Sequence, residues 1–413
     1  MLPRAPQIIL SLAFLLAICS PAAVWIGSGP LDVSETEGRR LAAFPKVEAD
    51  ENLLKVFPKE FERYFDDHYG FRSALIELNR AWKSLVFKKS FTRRVIRGQD
   101  DWLFFNDRGS LADFMGLKRV TEDELDDWQQ QLENKKYWLN HLGIEYLFVS
   151  IPNKMTVYPE FLPIRVRAKQ GESRLDQLAQ RLGESSSVED YLSLTDVFIE
   201  AKDYASALIA DKVGDRNAVD EGLYLRTDTH WTSLAAFIAY DQIMKNLSAR
   251  LQGLGPTLTL DDVEIDEREA TKTDLARLLG LSVLESHRLL IPKSRCWDGR
   301  RQNLQTFKST EAYKIKKERR PQVPLPQKTS CATRDLKAVI SHDSFGSRIR
   351  MYFAESFREV VFMSDFDTLG METFLRDFQP DVFIDLRVER LVPALLETDQ
   401  GLSAAVARIK DGS

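Results

Sequence analysis

Between residues 336 and 386 short apolar runs alternate with amphipathic stretches, and this order limits the fold more than any other feature of the chain. Residues 336–341, 360–363 and 382–386 read as strands, 347–356 as a helix, and a further helix precedes the last strand. Strands that alternate with helices pair in parallel and need cover on both faces. The expected class is therefore α/β, a parallel sheet flanked by helices. Ligands of such sheets gather at the carboxyl ends of the strands. The run Ile340-Ser341-His342-Asp343-Ser344-Phe345-Gly346 crosses that edge. It puts Ser344 on a strand-to-helix connection, where a hydroxyl is exposed and the helix N-terminus favours developing negative charge.

Upstream the pattern continues. Thr121 with Glu124 three positions on is a capping box that opens a helix running to His141, and Gly143 ends it. Residues 144–151 form a compact apolar run suited to a buried strand, and Pro152-Asn153-Lys154 leave it at the ligand edge. Asn153 and Lys154 are thus candidate substrate-binding residues, set against a turn-forming Asn and a solvated Lys. Residues 174–182 read as a helix and 223–226 as a short strand. Thr232 caps a helix through about residue 247, whose Ala235, Ile238, Ala239, Ile243 and Leu247 share one face.

Between that short strand and that helix lies Thr227-Asp228-Thr229-His230-Trp231-Thr232. A serine hydroxyl is a weak nucleophile until an imidazole takes its proton, and the imidazole acts best when a carboxylate fixes its tautomer. Asp228 and His230, two positions apart on an extended loop, supply that pair, and Ser344 supplies the nucleophile. Capping, packing or a metal site are the other uses of Asp-x-His. His342 competes as the base, but His230 has the better-placed carboxylate. Trp231 reads either as a pocket wall that stacks on a sugar ring or as a core residue. Asp343 reads as a helix cap or as part of an oxyanion pocket. His68, His141 and His287 show no ligand spacing, so neither metal nor other cofactor is expected.

The N-terminus sets the compartment. Arg4 precedes an uncharged stretch over residues 8–27, long enough to cross a bilayer, and Asp32, Glu35 and Glu37 follow it. Pro21, Ala22 and Ala23 also allow a cleaved signal peptide, and both readings export the rest of the chain. The expected organisation is an anchor or signal over 1–30, a juxtamembrane and helical lead-in over 31–95, and a catalytic domain over 96–413. Phe57, Phe61, Tyr64 and Phe65 give the lead-in one aromatic helix face ending near Gly70. Residues 293–328 hold eleven basic side chains against three acidic ones and read as a basic insertion. The whole chain is acidic, 57 Lys and Arg against 62 Asp and Glu, which argues against a nucleic-acid partner. Cys296 and Cys331 fall in the exported part, either as a disulfide or as two isolated thiols.

Several of these segments, taken in order, resemble the SGNH hydrolase-like family of bacterial alginate O-acetylation proteins, the AlgJ/AlgX type. They are the anchor, 57–72, Asp101-Trp102-Leu103-Phe104, residues 151–160, 227–232, Asp274-Leu275-Ala276, 342–346 and 380–390. The short tail after Arg390 makes the membrane-anchored AlgJ type the nearer one. The resemblance implies an SGNH-like domain with Asp228, His230 and Ser344 as its triad. It further implies a periplasmic O-acetyltransferase at the inner membrane that works on an exported polysaccharide, with a membrane-bound O-acyltransferase supplying acetyl groups. An O-acetylesterase and a noncatalytic polysaccharide-binding assembly component are the alternatives. The glycine usual before Asp-Ser in this family is His342 here.

Overall fold

A computed structural model describes residues 4–28, 33–34, 39–45, 53–72, 74–75, 78, 94–184, 188–213, 222–270, 273–281, 283, 285–294, 296–297, 302–309, 313–314, 317, 324–364, 371–396 and 400–411. The acidic flank at Asp32, Glu35 and Glu37 and much of the basic segment 293–328 lie outside them. The chain divides into two compact units, one of Met1–Val95 with Lys272–Val283, the other of Ile96–Thr271 with Leu284–Ser413.

In the first unit, helix α1 spans Arg4–Ser28 and α2 spans Leu53–His68. Among the described residues no helix is long and apolar enough to cross a membrane. On α2, Phe57, Phe61 and Phe65 recur at i+4, and successive ring centroids are 5.8 and 6.5 Å apart. The Tyr64 ring lies 4.1 Å from that of His68. The aromatic face expected over 57–65 is therefore a continuous ladder.

The second unit carries the sheet. Its seven strands are β1 (Glu145–Ile151), β2 (Tyr191–Ser193), β3 (Gln302–Asn303), β4 (Gln327–Ser330), β5 (Lys337–His342), β6 (Glu359–Met363) and β7 (Val382–Val388), in the spatial order β2-β1-β7-β5-β6-β4-β3. Strands β2, β1, β7, β5 and β6 are mutually parallel, whereas β4 runs antiparallel to both β6 and β3. The mainly parallel sheet expected from the sequence is thus present, with antiparallel pairing at one edge. There Gln327–Ser330, too polar to read as a buried strand, pairs with Glu359–Met363. Ile340 pairs with Ile384, and Val388 with Ile151, so the ends of β5, β7 and β1 open together on one edge.

Helices cover both faces. Residues Leu147, Val149, Ile151, Ile340, Ile384 and Val388 face one core, with α3 (Ser233–Ser248) and α4 (Gly346–Ser356) packed on it. Tyr146, Phe148, Val339, Val361 and Phe383 face a second core beneath the helices Glu122–His141 and Gln400–Lys410. This alternation along each strand is what two-sided burial demands. The capping box at Thr121 is formed, with Glu124 accepting from the Thr121 N–H, and Gly143 terminates the helix at φ 75°. A hairpin of Val263–Ala270 with Glu285–Pro292, not anticipated from the sequence, docks on α3 and α4: Leu290 N–H donates to Ser233 Oγ at 3.0 Å, and Tyr352 Oη donates to Leu290 O at 3.0 Å. Residues 223–226 form no strand, only a bridge between Tyr224 and Trp231. Cys296 and Cys331 are joined by a disulfide.

Candidate active site

Two segments meet at the sheet edge. The first is the turn after β5. Asp343 uses both carboxylate oxygens on backbone amides: Oδ1 accepts Phe345 N–H at 2.8 Å, and Oδ2 accepts Val388 N–H at 2.7 Å at the end of β7. Asp343 therefore fastens the turn to the neighbouring strand and does not cap α4, whose N-cap Phe345 has no side-chain cap bond. Phe345 is fully buried as the anchor of the turn, which lifts Ser344 into an exposed position.

The second segment is the loop from Leu225 to His230. Asp228 Oδ1 accepts the His230 N–H at 2.9 Å and lies 2.7 Å from His230 Nδ1. With Nδ1–H donating to the carboxylate, Nε2 is left as an acceptor, and it lies 2.9 Å from Ser344 Oγ. The carboxylate, imidazole and hydroxyl thus form one continuous hydrogen-bonded line across 114 residues of sequence.

The loop is held from below. The Lys154 side chain is 5% exposed, and its ammonium donates to Leu225 O (2.9 Å), Arg226 O (3.0 Å) and Asp228 O (2.7 Å). It also lies 5.5 Å from the Trp102 ring centroid and 5.4 Å from that of Phe104. Its position supports the loop that carries Asp228, whereas the sequence alone suggested contact with substrate. Glu285 holds the loop from another side: Oε1 accepts Arg226 N–H at 2.5 Å, and Oε2 accepts the Thr227 N–H at 3.0 Å and the Thr227 hydroxyl at 2.5 Å. No sequence signal singled out Glu285, because its strand is charged and its loop partner lies 58 residues away.

Trp231 joins the two segments. Its side chain is wholly buried, and its indole N–H donates to Phe345 O at 3.0 Å. The structure places it in the core, where it cannot stack on a sugar ring. The His230 and Phe345 ring centroids are 5.1 Å apart, so the imidazole rests on the anchor of the nucleophile turn.

Asn153, 4% exposed, stands at the end of β1. Its N–H donates to Glu389 Oε2 at 2.8 Å and its Oδ1 accepts from Arg390 at 3.0 Å. Its Nδ2 is a buried donor with no partner among the described residues. Arg390 lies 5.3 Å from the Phe345 ring centroid, which ties the exit of β1 to the nucleophile turn. Burial pushes the Glu389 carboxyl up to about 7, against the bonds from Asn153 and Thr156 that pull it down. His342, the competing base, donates from Nδ1 to Asp343 O at 2.6 Å, and burial holds its imidazole down at about 4. It is neutral and is turned to the backbone. Cys296, Cys331 and Glu355 lie close enough together to suggest a metal cluster, but the sulfurs are bonded to each other and Glu355 accepts from Ser294 and the Trp297 N–H.

Residues 95–294 match the family described as SGNH hydrolase-like domain, acetyltransferase AlgX. The match includes Asp228 and His230 and ends before Ser344. A curated protein of Pseudomonas fluorescens, probable alginate O-acetylase AlgJ, is 26% identical over 249 residues, 59% of this chain and 56% of that protein. The chain thus spans little more than half the length of that relative. Among solved structures, Bacillus cereus PatB1 is 14% identical with a TM-score of 0.49, covering 74% of this chain and 99% of that one. The O-acetyltransferase domain of Pseudomonas putida AlgJ is 16% identical with a TM-score of 0.43, covering 77% and 99% respectively.

Proposed function

Since residues 95–294 match the SGNH hydrolase-like domain of the acetyltransferase AlgX, we propose that this chain is a serine-dependent O-acetyltransferase acting on an exported bacterial polysaccharide. The observation that carries the reading is the Asp228–His230–Ser344 line, with spacings of 2.7 and 2.9 Å. Ser344 Oγ attacks the carbonyl carbon of an acetyl ester donor while His230 Nε2 takes the hydroxyl proton. The new C–O bond forms as the carbonyl π pair moves onto oxygen. Collapse restores the carbonyl and breaks the bond to the donor oxygen, which leaves with the proton from His230. A sugar hydroxyl then repeats these steps on the acetyl-serine, giving its proton to His230 and releasing Ser344. Asp228 holds the tautomer and stabilises the imidazolium in both halves. The buried Nδ2 of Asn153 is a candidate donor to the oxyanion.

The acceptor class follows from the name of the Pseudomonas fluorescens relative, an alginate-like polymer. A periplasmic site, tethering by the Arg4–Ser28 helix and supply of acetyl groups by a membrane-bound O-acyltransferase complete the proposal. Water in place of the sugar would make the same triad an esterase. The purified chain, given p-nitrophenyl acetate and an oligosaccharide acceptor, should yield acetylated oligosaccharide by mass spectrometry. Free acetate with unmodified acceptor would assign an esterase instead. Ser344→Ala should lose about 10³-fold or more in ester turnover, and full activity in that variant would remove the serine from the mechanism. Retention of the chain in the membrane pellet after alkaline extraction tests the tether.

A further inference from the structure

Three amides of the nucleophile turn have acceptors within it. Phe345 N–H goes to Asp343 Oδ1, Gly346 N–H to Asp343 O at 3.2 Å, and Ser347 N–H to Ser344 O at 3.3 Å. Among the described residues no group accepts the Ser344 N–H. Ser344 is exposed at the sheet edge, so this amide is open to a substrate oxygen beside the nucleophile.

The orientation of that amide is set by the peptide it belongs to. In a trans peptide the C=O and N–H point in opposite directions, so whatever fixes Asp343 O also aims Ser344 N–H. Asp343 O is held by two donors, Gly346 N–H at 3.2 Å and the His342 ring at 2.6 Å. A carbonyl oxygen only accepts, so His342 Nδ1 carries the proton. The imidazole is wedged in place: a Cβ at position 346 would stand 2.2 Å from His342 Cγ and 2.3 Å from Nδ1, and the ring meets Phe362 edge-on with centroids 6.3 Å apart. Glycine at 346 is what lets the ring approach.

We infer that His342 is a positioning residue that locks the Asp343–Ser344 peptide so that the Ser344 N–H serves as an oxyanion donor. The inference rests on the acyl-transfer reading above and deepens it. Histidine here does with a side chain what a glycine at the same position could not, since glycine offers no donor to Asp343 O. The ring does not act as a base. Its Nδ1 is committed to the carbonyl, and it is neutral through the working pH range, with Arg350 and Arg387 nearby opposing a second positive charge.

The test uses the full chain, p-nitrophenyl acetate turnover and thermal unfolding. His342→Phe keeps the ring volume and removes the donor. It should lower kcat about 10²-fold with KM nearly unchanged and with the unfolding temperature close to that of the parent. His342→Asn puts an amide N–H at the position of Nδ1 and should restore most of the rate, with the parent pH profile. Gly346→Ala displaces the ring and should fall as far as His342→Phe. Parent-level kcat in His342→Phe, or no recovery in His342→Asn, would overturn the inference while Ser344→Ala remains dead. Loss of the acidic limb of the pH profile in His342→Asn would overturn it too, by making His342 the base. Activity in Ser344→Ala would instead overturn the acyl-transfer reading and the inference with it.

Discussion

The turn that carries Ser344 and the loop that carries Asp228 and His230 are built in opposite ways. Residues 342–347 are held mostly from within: Asp343 and His342 hold an amide and a carbonyl of their own turn, and apart from the catalytic bond to His230 the outside bonds described for the turn are those to Val388 and Trp231. The 225–230 loop is held by distant residues, Lys154 from beyond β1 and Glu285 from the hairpin. A nucleophile must keep one fixed height above a strand end, which local bonds can set. The base and its acid must be brought to meet it from another part of the chain. That requires borrowed supports, and supports can be removed singly.

Removal of Lys154 should therefore have the largest effect among these supports. Lys154→Met keeps the length of the stem but leaves the carbonyls of Leu225, Arg226 and Asp228 without their donor, at roughly 1–3 kcal/mol for each one that stays buried. Ester turnover should fall about 10²-fold together with a clear drop in unfolding temperature. Parent-level turnover would mean that the loop holds itself, as the nucleophile turn does. Glu285→Gln is milder, because one amide oxygen can still accept while the NH₂ group cannot take the Thr227 N–H; a loss near tenfold (~1.4 kcal/mol) is expected. Trp231→Phe removes the bond to Phe345 O and leaves the His230–Ser344 bond as the link between the two segments. It should cost only a few-fold in kcat (~1 kcal/mol). If the Trp231 change proves more damaging than the Lys154 change, the two segments depend on each other more than on their separate supports.

The same contrast explains what the sequence disclosed. The strand runs at β1, β5, β6 and β7, the capping box at Thr121 and the Thr232 cap were legible because each is decided within a few residues. Asp228 and His230 were legible as a pair, and Ser344 as an exposed turn residue, for that reason. Lys154 was singled out without its role, since nothing local states that an ammonium beside Trp102 and Phe104 will meet three carbonyls more than seventy residues away. The hairpin escaped notice because Val263–Ala270 is dominated by acids and its connection carries no two-residue turn signal. Trp231 was ambiguous because an indole suits a core and a sugar platform equally well, and only its donation to Phe345 O decides between them.

Glu389 offers the test with the least effect on rate, since it touches neither segment and braces Asn153 and Thr156 at the exit of β1. Its carboxyl titrates near 7 in the folded chain because of burial, with Asp113 and Asp176 adding repulsion, against an ordinary value of 4.5. The folded state therefore binds more protons than the unfolded state between those two values. Glu389 contributes its full stability below about pH 4.5, and that contribution is lost as pH rises through about 7, by up to ~3 kcal/mol. Glu389→Gln keeps an oxygen for the Asn153 and Thr156 donors and removes the titration. Its unfolding temperature should match the parent near pH 4.5 and exceed it progressively towards pH 8, while kcat at pH 6 stays within about twofold. A constant difference across that range would show that the carboxyl is charged throughout.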